Sequence, residues 1–253
     1  MRSVTLTSDD PAFGGLSAIE TRDGSTFVVL SDRGQAYEIA IDRTTSKPRI
    51  TPRTQPAPQR DSEGLAYAGS NLFFSYEGPA EIRTETGERL PTYPAFRQLQ
   101  SNGSFEALAA APDGTVYVIP ERFGERAPAF PVYRYRDGAW SIARGLPKDG
   151  SFLPAGADIG PDGLLYVLER TLTPLGFRSR VRRFAPDTDG TVETLLTTPP
   201  GRHDNLEGLA IWQSATGQTC LTMVSDNNFL RVQRTEIVEY SLIDPLAAQG
   251  TCD

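Results

Sequence analysis

A single histidine and two cysteines serve the whole 253-residue chain, so no Cys/His cluster for structural zinc can be assembled. Long apolar runs are missing too. None approaches the ~18 residues of a membrane-spanning helix, so membrane insertion is not expected. There is no block of basic residues. The net charge is -7 and the isoelectric point about 4.9, which makes nucleic acid and anionic membrane poor partners. No Gly-x-Ser-x-Gly elbow occurs, so a Ser/His/Asp nucleophile is unsupported, although Ser31 and Ser225 each precede an acid. No Gly-rich phosphate loop and no convincing amphipathic helix is visible. Met1-Arg2-Ser3 runs straight into strand-like sequence, as expected of a cytosolic protein or of one whose leader has been removed.

What the chain has in abundance is a repeated phrase. Asn205-Leu206-Glu207-Gly208-Leu209-Ala210 recurs as Glu63-Gly64-Leu65-Ala66, more weakly as Glu106-Ala107-Leu108-Ala109, and without the acid as Gly14-Gly15-Leu16-Ser17. A further unit starts near Asp158. Each copy opens an apolar run, turns, and returns in a second apolar run that ends in another acid. Gly15, Gly64, Ala107, Asp158 and Gly208 mark these units at steps of about 43 to 51 residues, the length of a four-stranded propeller blade. The expected fold is therefore all-β: a β-propeller of five four-stranded blades, with six as the alternative, filling residues 1–253 as one domain.

The expected strands are 16–20, 27–31, 36–41 and 49–54 in blade one, and 65–68, 72–76 and 81–85 in blade two, whose outer strand is unclear around 91–96. Blade three is expected at 105–110, 115–120, 132–135 and 140–144, and blade four at 157–159, 164–168, 180–184 and 192–197. Blade five offers only 209–213, 221–225 and 236–242, so the N-terminal strand at residues 4–7 supplies its fourth and closes the ring, removing free sheet edges. Pro112-Asp113-Gly114, Pro161-Asp162-Gly163, Asp137-Gly138 and Asp23-Gly24 are tight-turn sequences consistent with this meander. A Pro-rich basic loop is expected at 44–59, and loops following second strands at 122–131 and 171–178.

In a propeller blade the start of the first strand and the end of the second lie on the same face. That places Asp32, Glu63, Glu77, Glu106, Glu121, Asp158, Glu169, Glu207 and Asp226 at one mouth of the channel. Like charges at such density raise one another's pKa and need compensation, by arginine, by protonation or by a bound cation. Arg33, Arg122 and Arg170 directly follow Asp32, Glu121 and Glu169. A hard cation held by about 6–8 oxygens describes calcium, for which Asn205, Asn227 and Asn228 add neutral donors. The competing reading is that each Glu before Gly-Leu binds backbone N–H groups of the next blade. Gly14 takes the place of the acid in blade one, either because the backbone crowds the channel there or because a gap admits substrate. His203, in the loop entering blade five, is a general-base candidate or a satisfied loop residue. Cys220 and Cys252 are a pair that tacks down the C-terminus in an oxidising compartment, or two unrelated thiols.

One ordered set of motifs covers nearly the whole chain: Leu30-Ser31-Asp32-Arg33-Gly34, Asp61-Ser62-Glu63-Gly64-Leu65-Ala66, Leu168-Glu169-Arg170, His203 through Ala210, and Val224-Ser225-Asp226-Asn227-Asn228-Phe229. It resembles the bacterial phytase-like family described as "esterase-like activity of phytase". The resemblance implies a β-propeller, export to the periplasm or beyond, and a phosphoester or ester hydrolase role. Ala107 departs from the pattern where Gly would stand, and the blade-four start is shortened around Asp158.

The first expectation is thus a calcium-dependent hydrolase of small anionic phosphoesters or esters, acting as a monomer. In it Arg33, Arg122, Arg170 and Arg202 hold substrate charge, and Glu121, Glu169 or His203 handles the proton. The alternative is a non-catalytic calcium-binding propeller serving as a ligand-binding or protein-interaction module. A lactonase-like calcium propeller is a third reading, which would prefer fewer arginines at the mouth.

Overall fold

Runs such as Phe27-Val28-Val29-Leu30 and Leu72-Phe73-Phe74 are apolar at consecutive positions, so both faces of the strand must be covered. A ring of radially packed sheets does this. The computed structural model describes residues 1–45, 47–55, 60–78, 80–99, 103–230, 232–242 and 252. Asn102 and part of the Pro-rich stretch, residues 46 and 56–59, lie outside them.

Nineteen strands form five antiparallel sheets. Blade one is β2 (Leu16–Thr21), β3 (Thr26–Ser31), β4 (Ala36–Ile41) and β5 (Pro48–Arg53). Blade two is β6 (Ser62–Ala68), β7 (Asn71–Tyr76) and β8 (Glu81–Thr84). Blade three is β9 (Ala107–Ala110), β10 (Val116–Ile119), β11 (Ala129–Arg136) and β12 (Ala139–Pro147). Blade four is β13 (Leu153–Ile159), β14 (Leu165–Thr173), β15 (Gly176–Phe184) and β16 (Glu193–Thr197). Blade five is β17 (Asn205–Gln213), β18 (Thr219–Asp226) and β19 (Glu236–Ser241), completed by β1 (Arg2–Thr5). β1 pairs antiparallel with β19 from Arg2↔Glu239 to Thr5↔Glu236, which is the expected ring closure. Among the described residues blade two shows three strands, and its outer strand, unclear in the sequence around 91–96, is not among them. There a short 3-10 helix, Pro94–Gln98, lies where a fourth strand was expected. Pro91 and Pro94 cannot donate to a strand ladder, and Phe96 instead packs edge-on against Phe105, Tyr133 and Trp140.

The first strands β2, β6, β9, β13 and β17 each contact the next around the ring. Five apolar clusters fill the five inter-blade seams. Leu30 with Leu65 and Phe74 joins blades one and two, and Val167 with Ala109 and Ile119 joins blades three and four. The channel is narrow because glycine lets the first strands approach. A Cβ on Gly208 would stand 2.7 Å from Ile19 N, and one on Gly156 would overlap Glu207 O. Cys220 and Cys252 are joined as a disulfide across a separation of 32 residues.

Candidate functional site

Two rings of side chains meet at the mouth. The first-strand ring is built on a β-bulge. Between Ser62 and Gly64, and between Leu206 and Gly208, the register slips by one residue, so Glu63 and Glu207 have no partner on the second strand. An extra residue of this kind re-aims its side chain. Blades one and four carry the same slip at Ser17 and Ala155. Glu63, Glu106 and Glu207 are therefore joined by Ser17, whose Oγ donates to Ser62 O at 2.6 Å, and by Ala155. Ser17, not Gly14, is blade one's counterpart of Glu63. Gly14 and Gly15 lie under the Asn227 and Phe229 side chains, where a Cβ would collide, so crowding rather than a gap explains these glycines.

The second-strand ring follows from the same registers. Asp32, Glu77 and Asp226 each come one residue after the partner of the bulge-flanking position. In blade four that partner is Glu169, so the ring position belongs to Arg170. Blade three contributes Glu121. The two rings are thus seven acids and one arginine, and not the nine acids of the sequence reading. Arg170 Nη2 stands 3.0 Å from Glu207 Oε1 and 3.2 Å from Glu121 Oε1, and Nη1 donates to Asn205 Oδ1 at 3.1 Å. Asn205 Nδ2 also donates to Glu207 Oε1, at 2.8 Å. Glu77 Oε1 accepts the N–H groups of Gly103 and of Ser104, the latter at 2.8 Å. Asp226 Oδ1 accepts Asn228 N–H at 2.6 Å.

Burial and mutual repulsion push these carboxyls up. Glu207 rises to about 8 by burial, against the pull of Arg170, and Asp226 to about 6, also by burial. Glu106 lies well above the usual carboxylate range through burial and the charges of Glu207 and Glu121. Glu63 does so through burial, Glu106 and Glu207, reinforced by a hydrogen bond with Asp61 that favours its neutral form. Of the three anticipated remedies for charge crowding, an arginine stands inside the ring, and the raised pKa values favour retained protons.

Several expected site residues lie elsewhere. Asp158 is near the far end of β13, where it accepts Ile211 N–H at 2.6 Å and Ile159 N–H at 2.7 Å; it binds blade four to blade five. Its electrostatic neighbour is Glu20, held at about 7 by burial, which makes the matching contact from blade one to Tyr67 N of blade two. Glu169 is fully buried and turned to Arg180 (2.8 Å) and to Arg182, so it is a structural ion pair and not a mouth group. His203 is buried beside the mouth rather than in it. Its Nε2 is 2.7 Å from Tyr240 Oη, and burial lowers its pKa. Arg202 is exposed on that flank and reaches Met1 Sδ. Arg33 is exposed at the rim and stacks on Phe229, with its guanidinium carbon 3.4 Å from the ring centre. Arg122 is exposed and donates to Glu121 Oε2 at 3.1 Å.

Asp61, Glu63 and Glu77 bring carboxylate oxygens within 4.8 Å of one another. Three hard anionic donors of this kind suit calcium rather than zinc. The hydroxyl of Ser104, whose N–H donates to Glu77, is buried without a hydrogen-bond partner among the described residues. The donor set fits a hard divalent cation. Asp61 was absent from the sequence-derived ligands, although it stands two residues before Glu63, which places both on one side of the strand entry.

A family model described as phytase-like, esterase-like activity of phytase, matches residues 11–229. The chain belongs to that family. No curated protein matches it. Among solved structures, an α-L-arabinofuranosidase from Podospora anserina in complex with cellotriose matches with a TM-score of 0.56 at 10% identity, over 94% of each chain. A xylan β-1,4-xylosidase from Bacillus halodurans matches with a TM-score of 0.54 at 14% identity, over 92% of this phytase-like chain and 54% of the xylosidase. At these identities the likeness concerns the fold alone. No helix among the described residues is long and apolar enough to cross a membrane.

Proposed function

We propose that this phytase-like propeller is a calcium-dependent hydrolase of small anionic phosphoesters or esters. The observation that carries the reading is the convergence of Asp61, Glu63 and Glu77 within 4.8 Å at a mouth that also contains Arg170. Asp61, Glu63 and Glu77 would hold the ion, which when bound supplies a Lewis acid for the substrate's phosphoryl or acyl oxygen. Arg170 inside the ring, with Arg33 and Arg122 at the rim, attracts and orients the anionic group. Glu207 is the proton donor to the leaving oxygen. Its pKa of about 8 keeps it protonated at neutral pH, and the proton sits on Oε2 because Oε1 already accepts from Arg170 and Asn205. Asp226, at about 6, is ionised at the same pH and accepts a proton from water, with Glu121 as the other candidate. The disulfide suits an exported protein, and a monomer acting on a small anionic substrate is the simplest form of the reading.

A second reading is supported by Arg170 itself. A mouth that neutralises its acids internally needs no catalytic ion, and would suit a non-catalytic ligand-binding or interaction module.

Elemental analysis and thermal melting separate the two, on protein as purified, after chelation, and after calcium is restored. Co-purified calcium, a lowered melting temperature on chelation, and calcium-dependent turnover of phosphoester or ester panels support the hydrolase. Absence of metal with an unmoved melt overturns it and leaves the module.

A further inference from the structure

The described residues expose six large apolar side chains: Met1, Ile142, Leu172, Leu175, Leu230 and Val232. Four of them fall in two segments of neighbouring blades on the mouth face. Leu172 and Leu175 belong to the β14–β15 hairpin, and Leu230 and Val232 to the connection between β18 and β19. Leu172, Leu230 and Val232, with Phe177, line one groove floored by the buried His203. Exposure is high, 69% for Leu172 and 88% for Val232. An uncovered apolar patch with a polar rim marks a binding surface.

The groove adjoins the mouth along both of its walls. On β14, Leu172 follows Arg170 by two residues and so shares its side of the strand. On the other wall, Asn228 lines the groove while its N–H binds Asp226 of the mouth ring. His203 is buried there with Tyr240 Oη 2.7 Å from its Nε2, and the charged residues of the lining, Asp204 and Arg234, are joined by Arg234 N–H donating to Asp204 Oδ2 at 2.8 Å.

We propose that the substrate is an amphiphile: an anionic phosphoester or ester whose head enters the mouth and whose alkyl or acyl chain lies in the groove between the β14–β15 hairpin and Asn228, Leu230 and Val232. This rests on the hydrolase reading of the mouth and adds the class of substrate. Because Leu172 stands two residues from Arg170 and Asn228 binds Asp226, one molecule can span groove and mouth.

The test is calorimetric titration of calcium-loaded protein with monomethyl phosphate and with monooctyl phosphate below its micellar concentration. The octyl ester is expected to bind at least tenfold more tightly. Leu172→Ser/Val232→Ser should reduce that ratio to less than about threefold, while Ile142→Ser, on blade three, should leave it intact. Equal affinities for the two phosphates, or a ratio that survives the double substitution, overturn the groove and leave the hydrolase reading standing. Wild-type protein that sediments as a dimer, with the double variant monomeric, also overturns it by giving the patch to a second copy. Binding of neither phosphate overturns both readings together.

Discussion

Arg170 occupies in blade four the ring position that Asp226 occupies in blade five, and its Nη2 lies 3.0 Å from Glu207 of the neighbouring ring. One blade in five therefore carries the opposite charge at an equivalent site. The guanidinium also reaches Glu121 and Asn205, and its own pKa is raised by the acids around it. The chain thus supplies part of the mouth's charge balance itself, one arginine set against seven ring acids.

Arg170→Gln should remove that balance. A fully buried pair broken on one side loses roughly 3–5 kcal/mol, and partial exposure of the Arg170 side chain (22%) brings the expectation to about 2–3 kcal/mol at pH 8. The loss should shrink at pH 5, where Glu207 and Asp226, at about 8 and about 6, hold their protons. Urea unfolding at the two pH values measures this. An equal loss at both would refute the electrostatic account.

Glu20 predicts a pH slope remote from the mouth. Its folded pKa of about 7 stands above the ordinary 4.5, so its contribution to stability is full below about 4.5 and is lost as the pH rises through about 7. Glu20→Gln cannot ionise. Its melting temperature should fall less than that of wild type between pH 5 and pH 8, even if the absolute value drops because one of the N–H contacts to Tyr67 and Thr21 is lost. Parallel slopes in the two proteins would show that Glu20 does not titrate in this range.

Glu63→Gln should separate stability from ion binding. It removes an ionisable group crowded by Glu106 and Glu207, so the metal-free protein should melt higher at pH 8. It also removes one of three anionic donors, so added calcium should no longer raise the melting temperature. Melting curves with chelator and with calcium give both numbers, and a full calcium increment in the variant would place the ion elsewhere.

Gly208→Ala should disturb the ring itself. The added carbon would meet the backbone of Ile19 and Ala18 at 2.7 and 2.8 Å, atoms that cannot rotate away. Overpacking of this kind costs about 1–3 kcal/mol. Chemical denaturation reads the loss, and a neutral result would mean that blades one and five can separate freely.

Blade number, ring closure and most of the mouth acids were legible because they depend on period and on strand direction. Glu63, Glu106 and Glu207 precede apolar first strands, and Glu77, Glu121 and Asp226 end second strands, so counting is enough to find them. The bulges were not legible, since a one-residue slip leaves no mark on an apolar pattern. That slip is why Gly14 was matched in place of Ser17, and why Glu169 was taken for the ring member in place of its neighbour Arg170. Asp158 was misplaced because β13 begins at Leu153, before the apolar residues that mark a strand start in the other blades. Blade two's missing fourth strand was foreshadowed by Pro91 and Pro94. The disulfide could not be settled from two cysteines and a spacing.

The pairing of β1 with β19 sets an order of events during synthesis. β1 is made before every other strand of the ring, and its partner ends at Ser241. The ring cannot be completed until nearly all of this sequence has been made, and until then Arg2–Thr5 is a strand without a ladder. Four early blades must wait as an open arc with exposed edges, which makes the emergence of β19 the step that commits the ring to its final form.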